Sequence, residues 1–87
     1  MRLYHELTDT LVKGRLGTQH EEDCFTGGTR RRGVWFTTEP LSSPDVVRVE
    51  GAVERDLVPF EVTEAGSRYR QFVVPGKVAA GFRCTPV

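Results

Sequence analysis

The stretch from Gly33 to Pro40, GVWFTTEP, constrains the fold of this chain more than any other. Its middle is a run of uncharged residues, apolar or β-branched, that follows a basic turn at 30–32 and ends before a proline. Short apolar runs bounded by Gly and Pro are typical of a buried strand rather than a helix. The large ring of Trp35 in such a strand fills a core or forms the floor of a pocket. The sequence therefore predicts a central strand that carries an aromatic side chain.

Further strands are predicted over 2–5, 46–50, 57–62, 69–74 and 81–85, where Pro59 indicates an edge or a bulge. A short helix is predicted over 10–16 and a single helical turn over 77–80. Residues 17–32 are polar and without periodicity, and we expect a long loop there. The prediction is one α+β domain over 1–87, with mainly antiparallel strands and one short helix. A chain of 87 residues buries roughly 60–65% of its unfolded surface and holds one modest core.

Charge and cysteine content limit the function classes. The 12 basic and 12 acidic residues give a net charge of zero, which argues against polyanion binding built on overall charge. No apolar run approaches the roughly 20 residues that a membrane span needs, and the N-terminal residues lack the apolar core of a signal peptide. Cys24 and Cys84 lie far apart without a CxxC spacing, so two reduced thiols in a cytoplasmic protein are expected.

Three segments of the chain, taken together, resemble a known superfamily. They are Leu3-Tyr4-His5, then Gly33-Val34-Trp35-Phe36, and finally Gln71-Phe72-Val73-Val74. Their order is similar to the His, Tyr and Glu strands of the ADP-ribosyltransferase superfamily, on its diphtheria-toxin and poly(ADP-ribose) polymerase side. Trp35 stands in the place of the family's Tyr and Gln71 in the place of its Glu. The resemblance implies a small ADP-ribosyltransferase-like fold.

The resemblance also implies a site for NAD as substrate. His5 would bond the ribose of the adenosine half, Trp35 would stack on the nicotinamide, and Gln71 would bond the ribose 2′-hydroxyl; these three are the expected catalytic residues. The expected cofactor-binding set consists of residues near the first two motifs: His5, Glu6, Thr8, Gly33, Trp35 and Thr37.

Two departures from the family pattern bear on catalysis. Gln71 keeps the geometry of a Glu but loses the negative charge that would stabilise an oxocarbenium-like transition state. A neighbouring carboxylate could restore that charge, and Glu39, Glu61 and Glu64 are the candidates. The second departure is Glu6, which crowds a position where the family favours Gly.

Two functional hypotheses remain open on the sequence. The first is an NAD-binding mono-ADP-ribosyltransferase-like protein that transfers ADP-ribose to a protein or nucleic-acid acceptor. The second is a catalytically weak or inactive module of the same fold, of a phage or toxin-system type, that binds or inhibits a partner protein.

Simpler interpretations of the same residues stand beside these. His5 and Trp35, each taken alone, are more typical of core residues. The run at 30–32 is a solvated turn, a contact for a dinucleotide pyrophosphate, or part of a basic-aromatic surface for single-stranded nucleic acid. His20 and Cys24 are too few ligands for a zinc site, so no metal is predicted.

Overall fold

The computed structural model describes residues 1–7, 11, 13–40 and 45–87. Among these it contains seven strands, two single-turn α-helices and short 3₁₀ turns at 18–20 and 58–60. The strands are β1 (Leu3–Glu6), β2 (Glu22–Thr26), β3 (Thr29–Thr37), β4 (Val46–Glu50), β5 (Glu61–Val62), β6 (Gln71–Val74) and β7 (Arg83–Pro86). The helices are α1 (Glu54–Leu57) and α2 (Gly76–Ala79). None of the described helices is long and apolar enough to cross a membrane.

The strands form an antiparallel sheet in the order β5-β6-β3-β1-β4-β7, with β2 paired to β3 beside this path. Strand β3 is the longest and has different partners along its length. Its first half pairs with β2 in a hairpin, and its second half pairs with β6 and, at Thr37, with β1. The stretch from Gly33 to Thr37 is therefore central, as the sequence predicted.

One face of the sheet carries the core. Directly opposed side chains of an antiparallel pair share a face, so the pairs Val34↔Val74 and Phe36↔Phe72 lie together, and all four side chains are fully buried. Leu16, Leu57 and Ala79, from the turn before the first 3₁₀ segment and from α1 and α2, are packed into the same core. Burial of each Val, Leu or Phe side chain in this core contributes about 1.5–3 kcal/mol.

The α+β class, the mainly antiparallel strands and the short helical content are confirmed, including the single helical turn near 77–80. The long loop expected over 17–32 is wrong, because most of it is the β2–β3 hairpin. Gly27 and Gly28 both have positive φ, 62° and 76°, and Thr26 pairs with Thr29 across them. Two such residues are what a tight two-residue hairpin turn requires.

Two other elements differ from the prediction. The helix predicted over 10–16 is absent at 13–16, because Lys13 and Gly14 take positive φ in a turn. Thr10 and Val12 of the same predicted helix lie outside the described residues. The strand expected over 57–62 is reduced to β5, since α1 ends at Leu57 and Pro59 lies in a 3₁₀ turn. Proline lacks the donor that a strand needs and suits the start of a helical turn.

Candidate functional site

The pairing of β3 with β6 brings two of the predicted site residues together. Trp35 is opposite Val73 and Thr37 is opposite Gln71, so Trp35 and Gln71 lie on the face of the sheet away from the core. The indole Nε1 of Trp35 donates a hydrogen bond to Oε1 of Gln71 at 3.0 Å. Trp35 is half-buried, whereas Gln71 is only 3% exposed.

The Gln71 side chain is occupied on both of its polar ends. Its Oε1 lies 3.0 Å from the indole Nε1 of Trp35 and 3.0 Å from Oγ1 of Thr26, and its Nε2 donates to Oε1 of Glu64 at 3.5 Å. A carboxamide fits here because it accepts at one atom and donates at the other. These contacts and its burial fix the orientation of the Gln71 amide, whose polar atoms are bonded to protein groups.

Glu64 is the carboxylate nearest to Gln71. Its Oε2 accepts hydrogen bonds from the backbone N–H of Gly27 at 3.1 Å and from the hydroxyl of Thr26 at 2.9 Å. The bond from Gly27, then those from Thr26 and Gln71, lower the pKa of Glu64 below its usual value. The Thr26 hydroxyl has a single proton, and the ionised carboxylate is its stronger acceptor. Glu64 is therefore held in place as an anion on an exposed segment.

The other two candidate carboxylates are placed differently. Glu61 is bound by the guanidinium of Arg70 at 2.7 and 2.9 Å, which lowers the pKa of Glu61, and Arg70 also contacts Glu54. Glu39 is outside the cleft, and its backbone carbonyl accepts a hydrogen bond from the Thr37 hydroxyl at 2.7 Å. Of the three, Glu64 is the one that can act beside Gln71.

An open cleft of about 370 Å³ lies against these residues. Its walls combine carboxylates and aromatic rings from the hairpin, the β5–β6 connection and β6: Glu22, Asp23, Cys24, Phe25, Thr26, Trp35, Glu64, Tyr69 and Gln71. Burial raises the pKa of the Cys24 thiol, and the nearby charges of Glu22 and Asp23 raise it further. The raised pKa of Cys24 therefore reflects, in part, the negative charge of these two cleft residues.

His5 lies on the opposite face of the sheet, which corrects the expectation that it joins Trp35 and Gln71. Tyr4 is opposite Thr37, so the neighbouring His5 projects to the core side. Its ring is 2% exposed and packs near Phe36, with the centroids 5.7 Å apart. Its Nδ1 donates to the backbone carbonyl of Trp35 at 2.9 Å. In this structure His5 is a buried core histidine.

Of the other predicted cofactor-binding residues, the three that the structure describes do not line the cleft. Glu6 is exposed at the end of β1, and Thr37 is buried with its hydroxyl on the Glu39 carbonyl. Gly33 is explained by packing: a Cβ there would lie 2.8 Å from Cγ1 of Val73 and 2.9 Å from a backbone oxygen. Thr8 lies outside the described residues.

Sequence reasoning missed the part of the cleft that the hairpin supplies. The polar composition of 17–32 predicts a loop at Glu22, Phe25 and Thr26, although Gly27-Gly28 between possible strand residues is a recognised hairpin signal. The sequence predicts Tyr69 only as the first residue of a strand. No sequence signal pointed to its position on the cleft wall.

Comparison with models of protein families, with curated proteins and with solved structures gives no match. The relationship to ADP-ribosyltransferases therefore stays a prediction.

Proposed function

We propose that this domain is a binding module whose cleft accepts a cationic group, the guanidinium or ammonium of a side chain on a partner protein. The observation that carries this proposal is the ionised Glu64 in a wall shared with Trp35 and Tyr69. Among the described residues, no salt bridge involves Glu64 or Glu22. Asp23, the third carboxylate of the cleft wall, is paired with Arg32 at 3.3 Å, so the cleft offers two unpaired carboxylates next to aromatic rings.

A cation gains from both components of such a cleft. Charge-assisted hydrogen bonds to a carboxylate are about twice as strong as neutral ones, and a cation over an aromatic face contributes about 0.5–2 kcal/mol. A volume of about 370 Å³ is near the small end of ligand sites. It suits one side chain inserted from a larger surface.

The positions of the predicted catalytic residues favour binding over catalysis. The Gln71 amide is bonded at both ends and almost fully buried. The His5 ring is in the core on the other face. His5 does not line the cleft, and Gln71 lines it with its polar atoms already bonded to protein groups.

The fluorescence of Trp35 tests this proposal, because Trp35 is the only tryptophan in the chain. A capped Gly-Arg-Gly peptide is titrated against the protein beside Gly-citrulline-Gly, which has the same shape without the charge. We expect a saturable change with arginine, none with citrulline, and a loss of about tenfold or more in affinity for the Glu64→Gln variant. Equal responses to the two peptides, or no response to either, would overturn the proposal.

A second candidate function is NAD binding with ADP-ribosyl transfer to a protein or nucleic-acid acceptor. It is favoured by the contact chain from Trp35 through Gln71 to Glu64. The nicotinamide ring of oxidised NAD is itself a planar cation. Glu64 would then supply the negative charge that Gln71 lacks, opposite the charge that develops on the ribose.

NAD and ADP-ribose separate the two candidates, because they differ only in the nicotinamide group. Saturable binding of NAD but not of ADP-ribose, together with nicotinamide release that Glu64→Gln abolishes, would favour the transferase. Binding of the arginine peptide without nicotinamide release in a host lysate favours the binding module.

A further inference from the structure

A second charged site surrounds the turn that follows β4. Two cavities of about 410 Å³ each meet at Glu50 and Gly51. One contains Arg2 and Arg48 in its lining, and the other contains Arg15 and Arg83. These four arginines come from four separate segments of the chain, so the fold, rather than a local sequence run, brings them together.

The charges at this turn do not balance. Four guanidinium groups line the two cavities against one carboxylate, that of Glu50, which leaves an excess of three positive charges. Glu50 is bound by Arg48 at 2.9 Å, and Arg15 donates to the neutral carbonyl of Ala80 at 3.1 Å. Arg2 and Arg83 are exposed and form no salt bridge among the described residues.

Arginine at all four positions indicates the kind of anion that fits. The planar guanidinium presents its donors as a fork that matches the oxygens of a phosphate, and it stays charged at every physiological pH. Two cavities on either side of one turn suit two adjacent phosphate groups, as in a pyrophosphate or along a nucleic-acid strand.

We infer that the Arg2, Arg15, Arg48 and Arg83 cluster is a binding site for phosphate groups, independent of the acidic cleft. Arg48 and Arg83 lie on β4 and β7 at one edge of the sheet, with Arg2 just before β1 and Arg15 after the turn at 13–14. The cleft is formed by the β2–β3 hairpin, the β5–β6 connection and β6 near the other edge. The chain has a net charge of zero, yet it carries one negatively charged and one positively charged site. The site can be present whatever the cleft binds.

Fluorescence anisotropy with a labelled single-stranded oligonucleotide tests this inference, with inorganic pyrophosphate as a second probe measured by calorimetry. We expect at least one probe to bind the wild-type chain. The Arg2→Gln, Arg83→Gln double variant should lose about tenfold or more in affinity. If the strand binds, three uncompensated charges predict that log K falls with log salt at a slope of about −2.

A matched control makes the same change in charge outside the cluster. Arg55→Gln with Arg68→Gln removes two exposed guanidinium groups that line neither cavity, and we expect less than about threefold loss. No binding of either probe by wild type would overturn the inference, as would an equal loss in the two double variants.

The Nε–H resonance of Arg83 in NMR is a readout on unmutated protein: it should shift on addition of the bound probe, and an unmoved signal would contradict the site.

Discussion

At the scale of single residues, Gln71 decides the chemistry of the cleft. Its amide lies between the Trp35 indole and the Glu64 carboxylate, and it accepts from one and donates to the other. A glutamate at this position, as in the resembled family, could still accept from the indole. It would place a second negative charge close to Glu64 and would offer no donor at neutral pH.

We therefore expect Gln71→Glu to lower the free energy of unfolding by about 2 kcal/mol or more at neutral pH. The new carboxyl would be buried beside Glu64, so its pKa would be raised in the folded chain and the penalty would shrink as the pH falls. Denaturant unfolding at pH 5 and pH 7.5 measures this change. The double variant Gln71→Glu, Glu64→Gln is the control, since it exchanges the two groups. A single variant as stable as wild type at both pH values would contradict the contact.

His5 is the second residue whose environment can be tested. Burial lowers its pKa from 6.5, although the bond to the Trp35 carbonyl opposes this shift. Its Nε2 is buried and has no hydrogen-bond partner among the described residues. Protonation of this ring in the folded chain is therefore unfavourable.

Below pH 6.5 the unfolded chain takes up a proton at position 5 before the folded chain does. The free energy of unfolding should therefore decrease as the pH is lowered. His5→Asn retains a donor for the Trp35 carbonyl and does not titrate. Between pH 6.5 and 4.5 we expect the free energy of unfolding to decline less in this variant than in wild type. This window lies above the range in which Glu61 and Glu64 protonate. Parallel stability profiles for wild type and variant across this window would show that His5 is not the titrating group.

At the scale of elements, Gly33 is where β3 changes partners. It is opposite Glu22 in the hairpin, and the next residue, Val34, is opposite Val74 of β6. The close approach of β6 leaves no room for a side chain at 33.

Gly33→Ala should destabilise the chain by about 1–3 kcal/mol, because the added methyl must displace Val73 and the β6 backbone. Gly81→Ala is the matched control, since a Cβ there meets only a backbone oxygen at an ordinary 3.4 Å. Thermal unfolding followed by circular dichroism compares the two. Similar midpoints for both variants would refute the packing explanation of Gly33.

The elements differ in how far the sequence predicts them. The second half of β3 is recognisable because an uncharged run in a charged chain must be buried. β2 is exposed over most of its length, so its residues show no apolar alternation to identify a strand. The sequence also does not predict on which face of the sheet the Gln71 side chain lies. All four residues of β6 are buried, and a shift of one residue in register exchanges the two faces. His5 is a different case: β1 alternates, with Leu3 and His5 buried on one face, and only the family resemblance places His5 at the cleft.

At the scale of the whole molecule, the fold separates charges that the composition balances. Glu22, Asp23 and Glu64 line the cleft near one edge of the sheet, and the arginine cluster lies at the other. Neither grouping follows from the sequence, because each draws on segments that only the sheet brings together. Overall charge is therefore a poor guide to what this domain binds.

Protection of the Cys24 thiol tests the cation-binding cleft most directly, because Cys24 lines the cleft while Cys84 is buried in the core. The rate at which a small neutral thiol reagent modifies Cys24 is measured with increasing Gly-Arg-Gly peptide, and then with its citrulline counterpart. The arginine peptide should slow modification by about tenfold at saturation in wild type and leave the Glu64→Gln protein little changed, while citrulline protects neither. Equal protection by the two peptides, or an unchanged rate with both, would contradict a cleft that recognises positive charge.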